Sequence, residues 1–127
     1  MSISPDHIRV TAIAQFLPGQ SNPDSDHYVF AYTIRIANEG NQPVQLMRRH
    51  WFVEYGDGEQ SEVEGEGVVG EQPVIEPGDA YEYTSGTVLP AQSGSMHGVY
   101  HMRAISDETA LEVPVPRFPL EAYPTVH

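Results

Sequence analysis

Residues Tyr28-Val29-Phe30-Ala31-Tyr32-Thr33-Ile34-Arg35-Ile36 decide the fold class. Tyr28, Phe30, Tyr32, Ile34 and Ile36 fall on one face of an extended chain, with Thr33 and Arg35 on the other. A period of two with β-branched and aromatic residues marks a half-buried strand of an antiparallel sheet. The pattern repeats upstream, where Ile8, Val10, Ala12, Ala14 and Phe16 alternate with polar residues and Ile13 is the exception. Between the two runs, residues 18–26 hold two prolines, a glycine, two asparates and an asparagine, which is a loop composition.

Downstream the same period continues. Residues 44–55 form a third strand with Met47, Trp51, Val53 and Tyr55 expected inward. Arg49 and Phe52 interrupt the alternation there and point to a bulge. Gly56-Asp57-Gly58 turns the chain into a hairpin partner at 60–66, and a short strand at 74–76 ends in a turn at Pro77-Gly78. Residues 80–88 set Tyr81 and Tyr83 against Glu82 and Thr84. Residues 96–105 set Met96, Gly98, Tyr100 and Met102 against His97, His101 and Arg103. Leu111, Val113 and Val115 alternate with residues that include Pro114 and Pro116, which makes this an edge strand or a strand end. The end of the chain, 119–127, is expected to be a flexible tail, with Phe118 and Leu120 pinning its start. No stretch carries a helical stripe. Seven or eight short strands point to an all-β fold, a two-sheet antiparallel sandwich or a small barrel, and the sandwich is favoured as the commoner solution at this length, in one domain spanning 1–127.

Composition narrows the function. The chain has 127 residues, 6 basic and 18 acidic, so its formal charge is 6 − 18 = −12; all six basic residues are arginine. It has no cysteine, which removes a disulfide framework, a thiolate metal site and a cysteine nucleophile. Such a charge repels phosphate backbones and argues against a nucleic-acid partner. No apolar run reaches the ~20 residues of a membrane helix. The opening MSISPDHIRV lacks the features of a secretory signal, and a cytoplasmic location is expected.

Several groupings carry chemistry. Gly65-Glu66-Gly67-Val68-Val69-Gly70 is a literal G-x-G-x-x-G. In a dinucleotide fold such glycines lead into a helix N-terminus. Here Pro73 and Pro77 forbid that helix and nearby glutamates oppose a pyrophosphate, so a glycine turn between strands is the favoured reading. An anion nest of backbone N–H groups, holding a nucleotide or polyphosphate, is the alternative. Glu62, Glu64 and Glu66 share one strand face about 6.5–7 Å apart and offer oxygen ligands for a hydrated divalent cation; a solvated edge face is favoured. His97 and His101 lie too far apart on one strand to share a metal, although His50 offers a third imidazole. Arg48 and Arg49 point to opposite faces. One is expected to pair with the acidic hairpin, leaving the other free for a carboxylate or phosphate. Tyr83-Thr84-Ser85-Gly86 has no nucleophile-elbow spacing.

Several of these segments, taken together, resemble the bacterial ApaG family. They are Gly65 through Pro73, Pro77-Gly78, Tyr83-Thr84-Ser85-Gly86, Gly94-Ser95-Met96-His97-Gly98-Val99-Tyr100, Arg49-His50-Trp51 upstream and Val115-Pro116-Arg117-Phe118 near the end. Pro90-Ala91-Gln92-Ser93 departs from that family's more usual Thr-Pro pair. The resemblance implies an immunoglobulin-like or fibronectin type III-like β-sandwich in a cytoplasmic bacterial protein. It also implies an association with cobalt and magnesium efflux, and a gene that neighbours a diadenosine polyphosphate hydrolase. Similar domains in eukaryotic F-box and DNA polymerase-delta-interacting proteins imply protein binding. The family's glycine motif, here Gly65, Gly67 and Gly70, has been read as pyrophosphate-binding. The expectation is a non-enzymatic module without a cofactor. Its surface for a protein partner is drawn from Gly65, Gly67, Gly70, Arg49 and Trp51. A nucleotide or pyrophosphate ligand, or a cation on Glu62, Glu64 and Glu66, are the alternatives.

Overall fold

A computed structural model describes residues 3–123. Eight strands follow one another: β1 (Ile8–Phe16), β2 (Tyr28–Asn38), β3 (Val44–Tyr55), β4 (Glu59–Glu66), β5 (Val74–Ile75), β6 (Ala80–Leu89), β7 (Ser93–Ala104) and β8 (Ala110–Glu121). They form two antiparallel sheets. One has the order β1-β2-β6. The other has the order β4-β3-β7-β8, with β5 also pairing to β3. The fold is an all-β sandwich of the immunoglobulin-like type.

The alternating residues of β2 behave as their spacing demands: Phe30, Ile34 and Ile36 have no exposed surface, and Tyr28 and Tyr32 are buried. Trp51, Tyr100, Leu46, Met96 and Leu120 fill the space between the sheets. Burial of side chains this large contributes roughly 1.5–3 kcal/mol each, and the inter-sheet layer supplies most of the drive to fold. The edge strands β1 and β8 lie close together, so that side of the sandwich is covered.

Two bulges set which side chains reach the core. In β3 the register slips between Leu46 and Arg48, so Met47 is the extra residue. Val44 and Leu46 are fully buried before it, and Trp51 and Val53 after it. Met47, expected inward, is only half-buried, and Val44 and Leu46 carry the inner face in its place. The second slip lies between Met96 and Gly98 of β7, opposite Pro116-Arg117 of β8. It lets β8 bury Leu111, Val113 and Val115 and then Phe118 and Leu120. The strand therefore runs through its prolines to Glu121. It is an edge strand, so the missing N–H groups face no partner. Of the stretch 119–127 expected to be a tail, residues 119–121 belong to β8 and Leu120 and Ala122 are buried; 124–127 lie outside the described residues. Among the described residues no helix is long and apolar enough to cross a membrane.

Candidate functional site

β4 and β5 occupy the same edge of β3. β4 pairs with Arg48–Tyr55, and β5 pairs with Val44 and Gln45. Between them the chain leaves the edge at Glu66 and returns at Val74, directly opposite the Met47 bulge. The glycine motif is this excursion. Gly67 N–H donates to the Met47 carbonyl at 2.9 Å, Gln72 Nε2 donates to the same carbonyl at 3.0 Å, and Leu46 N–H donates to Pro73 O at 3.0 Å. Gln45 Nε2 holds Gln72 O at 3.0 Å, and the Tyr81 hydroxyl donates to Glu71 Oε2 at 3.2 Å.

The excursion folds on itself as a two-residue hairpin. Val68 and Glu71 exchange both backbone hydrogen bonds, at 2.8 and 2.9 Å, around Val69 and Gly70. Both central residues have positive φ, 43° and 83°, as a type I′ turn requires. Gly70 suits that position. Val69 does not: a β-branched residue in the left-handed region is strained. Val68 is fully buried and anchors the hairpin, while Val69 is 54% exposed at its tip.

Each glycine of the motif has a local structural reason. A Cβ on Gly67 (φ 63°) would lie 2.2 Å from Glu71 O. A Cβ on Gly65 would lie 2.7 Å from the Arg49 guanidinium. Gly70 is needed for its φ alone. The amides of Gly67, Val68 and Glu71 donate within the fold, so they are unavailable to an anion.

Arg49 faces inward, on the Trp51 side of β3, and is half-buried. Its Nη1 donates to Glu66 O at 3.1 Å and Gly67 O at 2.9 Å, tying the excursion to β3. Behind it, the Tyr83 and Tyr100 hydroxyls hydrogen-bond to each other across the sandwich. Burial pushes both phenols well above the ordinary tyrosine range, and the positive charge of Arg49 opposes that rise. Trp51, expected at the recognition surface, is 2% exposed. It packs edge-on against Tyr32, Tyr100 and Phe118, so it is a core residue.

The outer face of the same strands carries the acidic row. His50 sits between two glutamates, with Nε2 3.0 Å from Glu62 and Nδ1 3.1 Å from Glu64. These three offer ligand atoms within 4.8 Å of one another. Glu66 is not part of that group; it lies opposite Arg48, whose Nη2 is 3.9 Å from Glu64. His50 therefore joins the glutamates and not the other histidines. His97 stacks on Phe52, and His101 lies 3.8 Å from Glu112.

The residues not singled out by the sequence are Val68, Val69, Gln45 and Gln72. A two-residue hairpin is usually announced by Asn-Gly or Asp-Gly; Val-Gly gives no such signal. The glutamines act through backbone carbonyls, Gln72 on that of Met47 at the bulge and Gln45 on that of Gln72 in the excursion, which pattern reading does not locate.

The ApaG domain family model matches residues 18–104. A Protein ApaG of Azoarcus sp. (strain BH72) is 48% identical over 120 residues, covering 94% of each chain. A Protein ApaG of Pseudomonas aeruginosa (strain LESB58) is 45% identical over 127 residues, the whole of both. The crystal structure of a putative ApaA protein from Bordetella pertussis superposes with a TM-score of 0.88 at 42% identity, covering 93% of this chain and 95% of that one.

Proposed function

This chain belongs to the ApaG domain family, and from that premise we propose that it is a non-enzymatic binding module that recognises a protein partner through the loop of residues 65–73. One observation carries the reading. Val69 is an exposed apolar side chain held in a strained conformation by a fully hydrogen-bonded hairpin. Strain of order 1–3 kcal/mol persists only where the surroundings over-determine it, and it gathers at binding and switch positions. A tip ordered before contact spares a partner the cost of ordering it. Arg49, Gln45, Gln72 and Tyr81 are the braces, and Val69 is the contact. Trp51 supports β3 from the core and is not part of the surface. A partner with a basic face is steered by the charge of −12.

The test is affinity capture from a bacterial lysate with three immobilised proteins: wild type, Val69→Ile and Val69→Asp. The reading expects the same protein on the first two and its loss on the third, with all three folded by circular dichroism. Equal recovery on Val69→Asp overturns it.

A second reading rests on His50, Glu62 and Glu64, whose mixed nitrogen and oxygen donors suit a borderline divalent ion such as Co²⁺ or Zn²⁺ over Mg²⁺. Isothermal titration with Co²⁺ tests it: heat in wild type that is lost in His50→Gln supports it, and no heat in wild type removes it. With no membrane-crossing helix among the described residues, any part in cobalt or magnesium efflux is indirect. A nucleotide on the glycine loop has less support, because Gly67, Val68 and Glu71 N–H already have partners. A cytoplasmic location completes the proposal.

A further inference from the structure

On the side away from β1 and β8, between β4 and β6, a cleft of about 150 Å³ enters the space between the two sheets. Polar side chains line one part of it: Arg49, Ser85 and Thr87, with the buried ring of Trp51 beneath them. Val53, Val63 and Met96 line the remainder with apolar surface.

One donor in this wall, and one buried beneath it, are incompletely used. Of the other five arginines, Arg9, Arg48, Arg103 and Arg117 each have a glutamate oxygen within 3.9 Å, and Arg35, which has none among the described residues, is exposed to water. Arg49, half-buried, has no carboxylate partner among the described residues; Nη1 alone is engaged, on two carbonyls. Trp51 is almost wholly buried, and its Nε1–H has no hydrogen-bond partner among the described residues. Buried polar groups without partners cost free energy, and such donors are rare unless something satisfies them. In a chain with three times more acids than bases, an inward guanidinium left without an acid is unusual.

We propose that this cleft is a binding site for a short aliphatic carboxylate, with the guanidinium of Arg49 taking the carboxylate and the Val53, Val63 and Met96 wall taking the alkyl chain. A guanidinium fork matches a carboxylate with two parallel hydrogen bonds. The volume fits a ligand of about six heavy atoms, since an apolar cavity of about 150 Å³ holds benzene. Glu62, Glu64 and Glu66 stand opposite Phe52, His50 and Arg48 on the outer face, on the far side of the sheet from Arg49. The ligand is either a free molecule or the side chain of an acidic peptide. This site shares Arg49 with the bracing of the loop but does not involve Val69: a ligand can bind here whether or not Val69 contacts a protein, and the Val63→Phe and Val69→Asp variants make the two readings fail separately.

Trp51 is the only tryptophan, so its indole N–H gives a single resonance in a ¹⁵N–¹H spectrum. The experiment titrates sodium butyrate into the full chain at constant ionic strength, with sodium chloride as reference. The expected result is a saturable indole shift with a Kd on the order of 1 mM. Val63→Phe fills the cleft from an exposed edge strand and keeps the fold. It is expected to weaken binding at least about tenfold, as is Arg49→Gln. N-acetyl-glutamate amide forms the second arm: tighter binding than butyrate assigns the site to a peptide side chain, and weaker binding to a free carboxylate. An indole resonance that moves no more than in chloride overturns the proposal. So does a butyrate shift unchanged in Val63→Phe, or phosphate binding as tightly as butyrate.

Discussion

At Val69 and the glycines around it, single atoms decide the conformation. Val69→Gly relieves a left-handed β-branched residue, although glycine adds freedom to the unfolded chain. The net expectation is a gain of up to ~1 kcal/mol in urea unfolding, together with loss of the side chain proposed to meet the partner. Gly67→Ala goes the other way. Its Cβ meets Glu71 O in a backbone that cannot yield cheaply, so a loss of ~2 kcal/mol or more is expected. Gly70→Ala meets open space and loses only about 1 kcal/mol, the strain of its φ. The ratio of the two losses measures how much of the motif is close packing and how much is backbone handedness. Gly65, Gly67 and Gly70 were legible as a motif, but the cause of each was not. Spacing shows glycine, while the crowding by Arg49 and Glu71 exists only after folding. Trp51 was legible as inward-facing, and that same property removes it from the surface.

Among the elements, strand positions followed directly from the period of two, because each strand has one face on the inter-sheet core. Bulges break that inference. One extra residue at Met47 exchanges the faces of the rest of β3, and the slip opposite His97 lets β8 continue past Pro116. The edge prediction for β8 rested on its prolines and holds; its length did not follow, because prolines are tolerated along an edge. The buried bond between β6 and β7 makes a prediction at this scale. Tyr100→Phe leaves the Tyr83 hydroxyl unpaired and is expected to cost ~1–3 kcal/mol, whereas Tyr83→Phe with Tyr100→Phe costs less than the two single losses added. The folded-state pKa of both phenols lies above the unfolded value. Their contribution is therefore complete below about pH 10 and is lost as pH rises beyond it. Urea midpoints measured from pH 8 to pH 11.5 should fall above pH 10 in wild type and more shallowly in the double Phe variant.

Over the whole molecule, the excess of acidic charge works against compactness. With a net charge of −12, added sodium chloride screens self-repulsion, and the unfolding midpoint is expected to rise between low salt and about 0.3 M. A midpoint that falls would mean that pairs such as Arg117–Glu54, at 2.7 Å, outweigh the repulsion. The same field favours a protein partner with a basic face, and the proposed contact point on the β4–β5 edge is the apolar, uncharged tip. The most direct test of that claim is photo-crosslinking in growing bacteria, with a photoreactive phenylalanine at position 69 and, separately, at position 13. Ile13 is 71% exposed, on the other sheet, and serves as the equally apolar control. Discrete adducts from position 69 that are missing from position 13 are the predicted result. No adduct from position 69, or the same adducts from both, would contradict recognition through the loop tip.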